Sequence, residues 1–147
     1  MRNLRLALVI LACAIALPAS AKETPIGFVK TLTGSATVTH GEVATAASLG
    51  IPVYENVWIQ TGNDSEIGVT FRDDTRIALG PNSRVHLAHF VFKPATPEYG
   101  FLMRLAYGTL ECISGLTAKL APEAMSIEAP GFTVGARGTR FLIRAER

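Results

Sequence analysis

Ile59-Gln60-Thr61-Gly62-Asn63-Asp64-Ser65-Glu66-Ile67-Gly68-Val69 returns eighteen residues later as Ile77-Ala78-Leu79-Gly80-Pro81-Asn82-Ser83-Arg84-Val85-His86-Leu87. Matched positions share Ile, Gly, Asp or Asn, Ser, then Ile or Val and Val or Leu. Each copy reads as strand, tight turn, strand. Gly62 and Gly80 supply unusual backbone angles, and Asp64-Ser65 and Asn82-Ser83 cap the turns with side-chain hydrogen bonds. A period near this length carried by β-type residues predicts stacked strands. The expected fold is therefore all-β, a β-roll or solenoid-like stack of short antiparallel and crossing strands, with a β-sandwich as the alternative. The repeated Ser, Asp and Asn are read as turn formers rather than as catalytic groups.

The flanking sequence continues the pattern. Ile67, Val69 and Phe71 alternate with Gly68 and Thr70, which gives one apolar face and one small or polar face. Short β-type runs are expected at 26–32, 35–40, 51–54, 57–59, 75–79 and 83–92. Val43 to Leu49 reads as a small-residue connector poor in strand character, and Lys93 to Tyr99, with two prolines, as a loop. Phe101 to Ile113 is nearly continuous apolar sequence broken at Gly108, expected to form a buried strand pair, with a helix in its first half as the alternative. Leu116 to Ala121 reads as a brief strand or a helical turn. No segment carries the sustained period of a surface helix.

The first 21 residues read as a cleaved export signal. Arg2 and Arg5 precede the apolar run Leu6 to Leu17, Pro18 ends it, and Ala19-Ser20-Ala21 offers the small-x-small cleavage site. That run is shorter than the ~20 residues a spanning helix needs. A lipoprotein signal ending at Cys13 is the less favoured reading. Cleavage after Ala21 takes 21 of 147 residues and leaves 126, the size of one domain over 22–147. It also removes Arg2 and Arg5, so 14 basic residues fall to 12 against 12 acidic ones. A neutral chain offers no general attraction to nucleic acid or anionic membrane, so neither is an expected partner. Cys112 is then left alone, which excludes an internal disulfide and favours a small buried strand residue.

No catalytic or metal-binding constellation assembles, and neither enzyme activity, a metal nor a cofactor is expected. His86 and His89 are three apart on a strand, so their side chains point to opposite faces unless a bulge intervenes. Asp73-Asp74 reads as a turn pair, and Gly135-Ala136-Arg137-Gly138 precedes a strand rather than the helix of a phosphate loop.

Four stretches in order carry a family resemblance. Glu55 to Gly62, Phe71 to Val85, Tyr107 to Cys112 and Ala129 to Phe141 resemble successive motifs of the FecR domain, the last containing its closing Arg137-Gly138-Thr139 element. The resemblance covers roughly residues 26 to 145. Asp74 stands where the family usually has glycine, which implies a left-handed turn residue, and Ala129 replaces the usual threonine before Pro130. Family members that regulate sigma factors carry a cytoplasmic segment and a spanning helix ahead of this domain. Here a cleavable signal is read in that place, so the family's siderophore-signalling role is not carried over intact.

The resemblance implies an exported, non-enzymatic protein-interaction and sensing module of the cell envelope, in the periplasm or at the surface. Its partner would be an envelope protein, and it would not span the membrane after cleavage. The candidate binding residues are Arg137, Gly138, Thr139, Asp73 and Asp74. Arg137 is expected to tie the last strand to an acidic or carbonyl-rich turn such as Asp73 or Asp74, because its donors form a rigid fork; partner contact is the alternative. A second class of function is a carbohydrate or small-ligand binder using Trp58, Tyr54, Tyr99 and Tyr107 as stacking surfaces.

Overall fold

The computed structural model describes residues 21–135 and 140–147. Twelve strands follow in order: β1 Gly27–Thr33, β2 Ala36–His40, β3 Val43–Ala46, β4 Pro52–Val53, β5 Val57–Thr61 and β6 Glu66–Phe71. Then come β7 Arg76–Leu79, β8 Arg84–Lys93, β9 Glu98–Ile113, a short helix α1 Leu116–Leu120 and a 3₁₀ turn Pro122–Ala124. Strands β10 Met125–Ala129, β11 Phe132–Gly135 and β12 Arg140–Ala145 close the chain. The all-β expectation is met, and the strands form a sheet that curls into a half-barrel.

The sheet folds along a corner into two leaves. Leaf one runs β4-β1-β6-β7-β9-β12 and leaf two runs β3-β2-β5-β8-β9-β10-β11. Strand β9 belongs to both: its first half pairs β8 and β10, its second half β7 and β12. Every pairing is antiparallel except β9–β10, where α1 and the 3₁₀ turn supply the crossover a parallel pair needs.

Period-2 alternation sends one face of each leaf inward. Val29, Ile67, Val69, Ile77, Leu79 and Leu110 from leaf one meet Val57, Ile59, Val85, Leu87, Met103, Leu105 and Ile127 from leaf two in one buried cluster. Phe71 joins the leaves, with its ring centroid 5.8 Å from Phe90 and 4.9 Å from Phe101. Burying side chains of this size contributes about 1.5–3 kcal/mol each.

Two segments differ from their sequence reading. Val43 to Ala46 is a strand, because the left-handed Gly41 (φ 60°) turns it back onto β2, and pairing with a neighbour overrides the weak β preference of alanine. Phe101 to Ile113 is neither helix nor strand pair. It lies inside one continuous strand, and Gly108 (φ 96°) carries that strand around the corner instead of breaking it.

Candidate functional site

The repeated turns sit on the corner, where they do not form hairpins. Residues 62–65 carry the chain from β5 in leaf two to β6 in leaf one, and residues 80–83 carry it back from β7 to β8. The left-handed residues are Asp64 (φ 50°) and Asn82 (φ 49°), the non-glycine types that tolerate this region best. Gly62 is not left-handed; a Cβ there would lie 2.8 Å from Ser35 Oγ, the rotatable end of that side chain.

Each turn clamps a neighbouring crossing with the same bonds. Ser65 Oγ donates to Asn63 O (2.9 Å) and accepts from Ser35 N–H (2.9 Å), while Gly62 N–H donates to Ser35 O (3.0 Å). In the second copy Ser83 Oγ donates to Pro81 O (3.1 Å) and accepts from Thr109 N–H (2.8 Å), while Gly80 N–H donates to Thr109 O (3.0 Å). Both clamped steps follow a left-handed glycine, Gly34 (φ 72°) and Gly108 (φ 96°). Thr61, buried at the seam, joins the two copies: its Oγ1 donates to Gly80 O (2.6 Å) and accepts from Ser83 N–H (2.9 Å). Gly62, Asp64, Ser65, Gly80, Asn82 and Ser83 thus come together on one rim, with both serine hydroxyls buried in structural bonds.

Asp73 and Asp74 face opposite ways. Asp74 is exposed and left-handed (φ 64°), the conformation implied by the glycine usual at that position. Asp73 is fully buried, and its carboxylate accepts from Thr75 N–H (3.0 Å), Thr75 Oγ1–H (2.8 Å) and Thr117 N–H (3.3 Å). Its carbonyl accepts from Leu116 N–H (2.7 Å), and Thr75 Oγ1 accepts from Gly115 N–H (3.0 Å). The turn therefore caps the first amides of α1 from more than forty residues away, where Gly115 offers no side chain to do so. Asp73 has its partners in this cap, and Arg137, Gly138 and Thr139 lie outside the described residues.

Cys112 faces the same interior. Burial, and then the nearby Asp73 carboxylate, push its thiol up to about 12 from the ordinary 9.0. The thiolate is the reactive form, so at pH 8 a thiol reagent should leave Cys112 unmodified in the native protein and label it after denaturation. Rapid native labelling would contradict the buried setting. Because the folded-state value is the higher one, the unfolded chain ionises first. The thiol's contribution to stability is complete below pH 9.0 and is lost as pH rises toward about 12.

The solvent face of leaf two holds a row of functional side chains that the sequence reading left dispersed. Cross-strand register aligns Thr39, Trp58, His86, Arg104 and Glu128 on five adjacent strands. Trp58 stacks on His86 (centroids 4.6 Å, planes 16° apart), and the Arg84 guanidinium lies 4.3 Å from the indole centroid. His86 Nε2–H donates to Asn56 Oδ1 (2.9 Å), and Arg104 Nε–H donates to Glu128 Oε2 (2.6 Å). Burial and then the Arg104 charge lower the His86 pKa, so the ring is neutral around pH 7. A register shift between Leu87 and His89 is the bulge that spacing alone does not reveal; it turns His89 to the same face as His86. His89 Nδ1 pairs with Glu55 Oε2 at 3.3 Å. Among the described residues, no three His, Cys, Asp or Glu side chains are grouped to hold a metal.

The other aromatic candidates scatter. Tyr54 stacks near His40 (6.2 Å), Tyr99 tilts against Phe92 (5.9 Å), and Tyr107 lies beneath the Arg147 guanidinium (4.6 Å). Among the described residues no helix is long and apolar enough to cross a membrane. No curated protein and no solved structure matched the chain. A family model did match, over residues 58–147, from within β5 to the last residue. Strands β1 to β4 lie outside that match, yet β1 pairs with β6 and β2 with β5 inside it, and by this match the chain belongs to the FecR protein family.

Proposed function

We propose that the chain is a non-enzymatic interaction and sensing module of the cell envelope, exported by residues 1–21 and working in the periplasm or at the surface. Family membership supports the envelope setting. The observation that carries the interaction reading is the free edge of β3. All four of its residues are exposed, among the described residues it pairs only with β2, and Val43-Ala44-Thr45-Ala46 holds neither charge nor proline. Those are the devices that ordinarily guard an edge. Of the other edges, β4 carries Pro52 and β12 carries Arg140 and Arg144, while β11 is, like β3, without charge or proline. An unguarded edge accepts an added strand from a partner through main-chain hydrogen bonds. The repeat turns and the Asp74 and Arg137-Gly138-Thr139 positions offer additional contacts in this reading.

Ala47 N–H donates to Ala36 O, so in the alternating antiparallel ladder the amides of Ala44 and Ala46 face away from β2. Ala44→Pro then removes an outward donor without breaking the ladder. A photo-crosslinker at Ala46 is expected to trap one discrete envelope protein in living cells, on a chain beginning at Lys22, and Ala44→Pro is expected to abolish that product while Tm stays within about 3 °C. A chain retained in the cytoplasm, or a crosslink unchanged by Ala44→Pro, would overturn the reading.

A further inference from the structure

We propose that the cleft beside Trp58 on the solvent face of leaf two is a saccharide site, and that it takes a sugar ring bearing a carboxylate. The cleft has a volume of about 240 Å³ and is lined by Ser35, Thr37, Thr39, Trp58, Gln60 and Arg84 among others. That is below the ~300–1,000 Å³ of pockets for drug-sized ligands and so suits a single ring.

The lining matches such a ligand group by group. The Trp58 indole, flanked by the Arg84 guanidinium at 4.3 Å and the stacked His86 ring at 4.6 Å, keeps a half-exposed apolar rim and a polar edge against which the C–H groups of a pyranose pack. Three hydroxyls and one amide supply both donors and acceptors, as a polyhydroxylated ring requires. Arg84 supplies a planar fork that binds a carboxylate in bidentate fashion.

Two observations leave these groups open to a ligand. Thr37, Thr39 and Gln60 make no side-chain hydrogen bond among the described residues, whereas Thr61, Ser65 and Ser83 beneath them are all engaged. Arg84 has no carboxylate partner among the described residues, while Lys93, Arg104 and Arg140 each have one at 2.6–2.8 Å. Its guanidinium rests on the Trp58 ring, so the charge and the aromatic surface arrive together.

The core does not need the tryptophan. Val57 and Ile59 on either side are fully buried, and Trp58 points the other way. His86, fixed by Asn56, stacks on the indole from the neighbouring strand, which pre-organises the platform. One unpaired cation in a neutral cleft selects one carboxylate rather than a polyphosphate chain.

Trp58 is the only tryptophan of the chain, so its fluorescence reads the site directly. The test titrates the protein with trimers of galacturonate, glucuronate and mannuronate, with maltotriose as the neutral control and acetate as the free-carboxylate control. At least one uronate trimer is expected to give a saturable change, with maltotriose about tenfold weaker or more, because a charge-assisted hydrogen bond is lost. Acetate is expected to give none. By calorimetry, Arg84→Gln is expected to weaken uronate binding about tenfold, with Tm within about 2 °C of the parent because the residue lies outside the core. No saturation with any of the three uronates, equal binding of maltotriose, or an unchanged affinity in Arg84→Gln would each overturn the proposal.

Discussion

Gly108→Ala is expected to cost about 4 kcal/mol and lower Tm by roughly 15 °C, or to leave the chain unable to fold. Two independent penalties meet at this position. Its φ of 96° is outside the range that an L side chain adopts without strain. In addition, a Cβ there would lie 2.1 Å from Ser83 Oγ and 2.4 Å from Ser83 Cα. The second contact is backbone, so rotating a side chain cannot relieve it. Relief would require β9 to move away from the 80–83 turn, breaking the bonds from Thr109 N–H to Ser83 Oγ and from Gly80 N–H to Thr109 O. Thermal unfolding followed by circular dichroism measures the effect. A Gly108→Ala protein melting within about 3 °C of the parent would mean that β9 does not turn the corner as described.

Asp73→Ala is expected to be the next most damaging change, at about 3 kcal/mol and roughly 10 °C in Tm. It leaves the amides of Thr75 and Thr117 and the Thr75 hydroxyl without their acceptor, in a place water does not reach. Unsatisfied buried donors cost more than the net value of the bonds they lose. Asp73→Asn should recover part of the loss, since its carbonyl still serves one donor while its amide faces another. The same substitution removes a neighbouring charge from Cys112, so its thiol should titrate lower than in the parent, with burial still holding it above the ordinary range. If Asp73→Ala melts with the parent, the carboxylate is not the cap of α1.

These two residues also mark how far the sequence could be read. The eighteen-residue echo announces tight turns because Asp or Asn followed by Ser has a local mechanism, and the structure puts left-handed Asp64 and Asn82 at those positions. Local chemistry does not say which strands a turn joins. A hairpin and a corner need the same turn residues, and the choice depends on what Ser65 and Ser83 find across from them, namely Ser35 and Thr109. The Asp73 cap is hidden for the same reason, since the helix amides it accepts from, Leu116 and Thr117, lie more than forty residues further along the chain. Strand β3 was obscured because alanine has little β preference of its own and is held by its partner.

The solvent face shows the same limit. Trp58 was legible as an aromatic candidate, yet its neighbours were not, because Thr39, Trp58, His86, Arg104 and Glu128 meet through register across five strands. The bulge after Leu87 reverses the face that strict alternation assigns to His89. Arg84 was hidden inside the echo itself, where its repeat equivalent is Glu66 and its place looked like one more strand residue.

On the proposed reading, a corner holds the fold while faces and edges meet other molecules. Amide hydrogen exchange at Ser35 and Thr109 tests it most directly, because each amide donates to a repeat serine on a rim where a plain loop would leave it open to water. Both amides are expected to exchange as slowly as those of the core strands, with Ser83→Ala accelerating Thr109 and sparing Ser35. Fast exchange at both positions in the parent protein would contradict the clamp, and with it the reading of the echo as a structural corner.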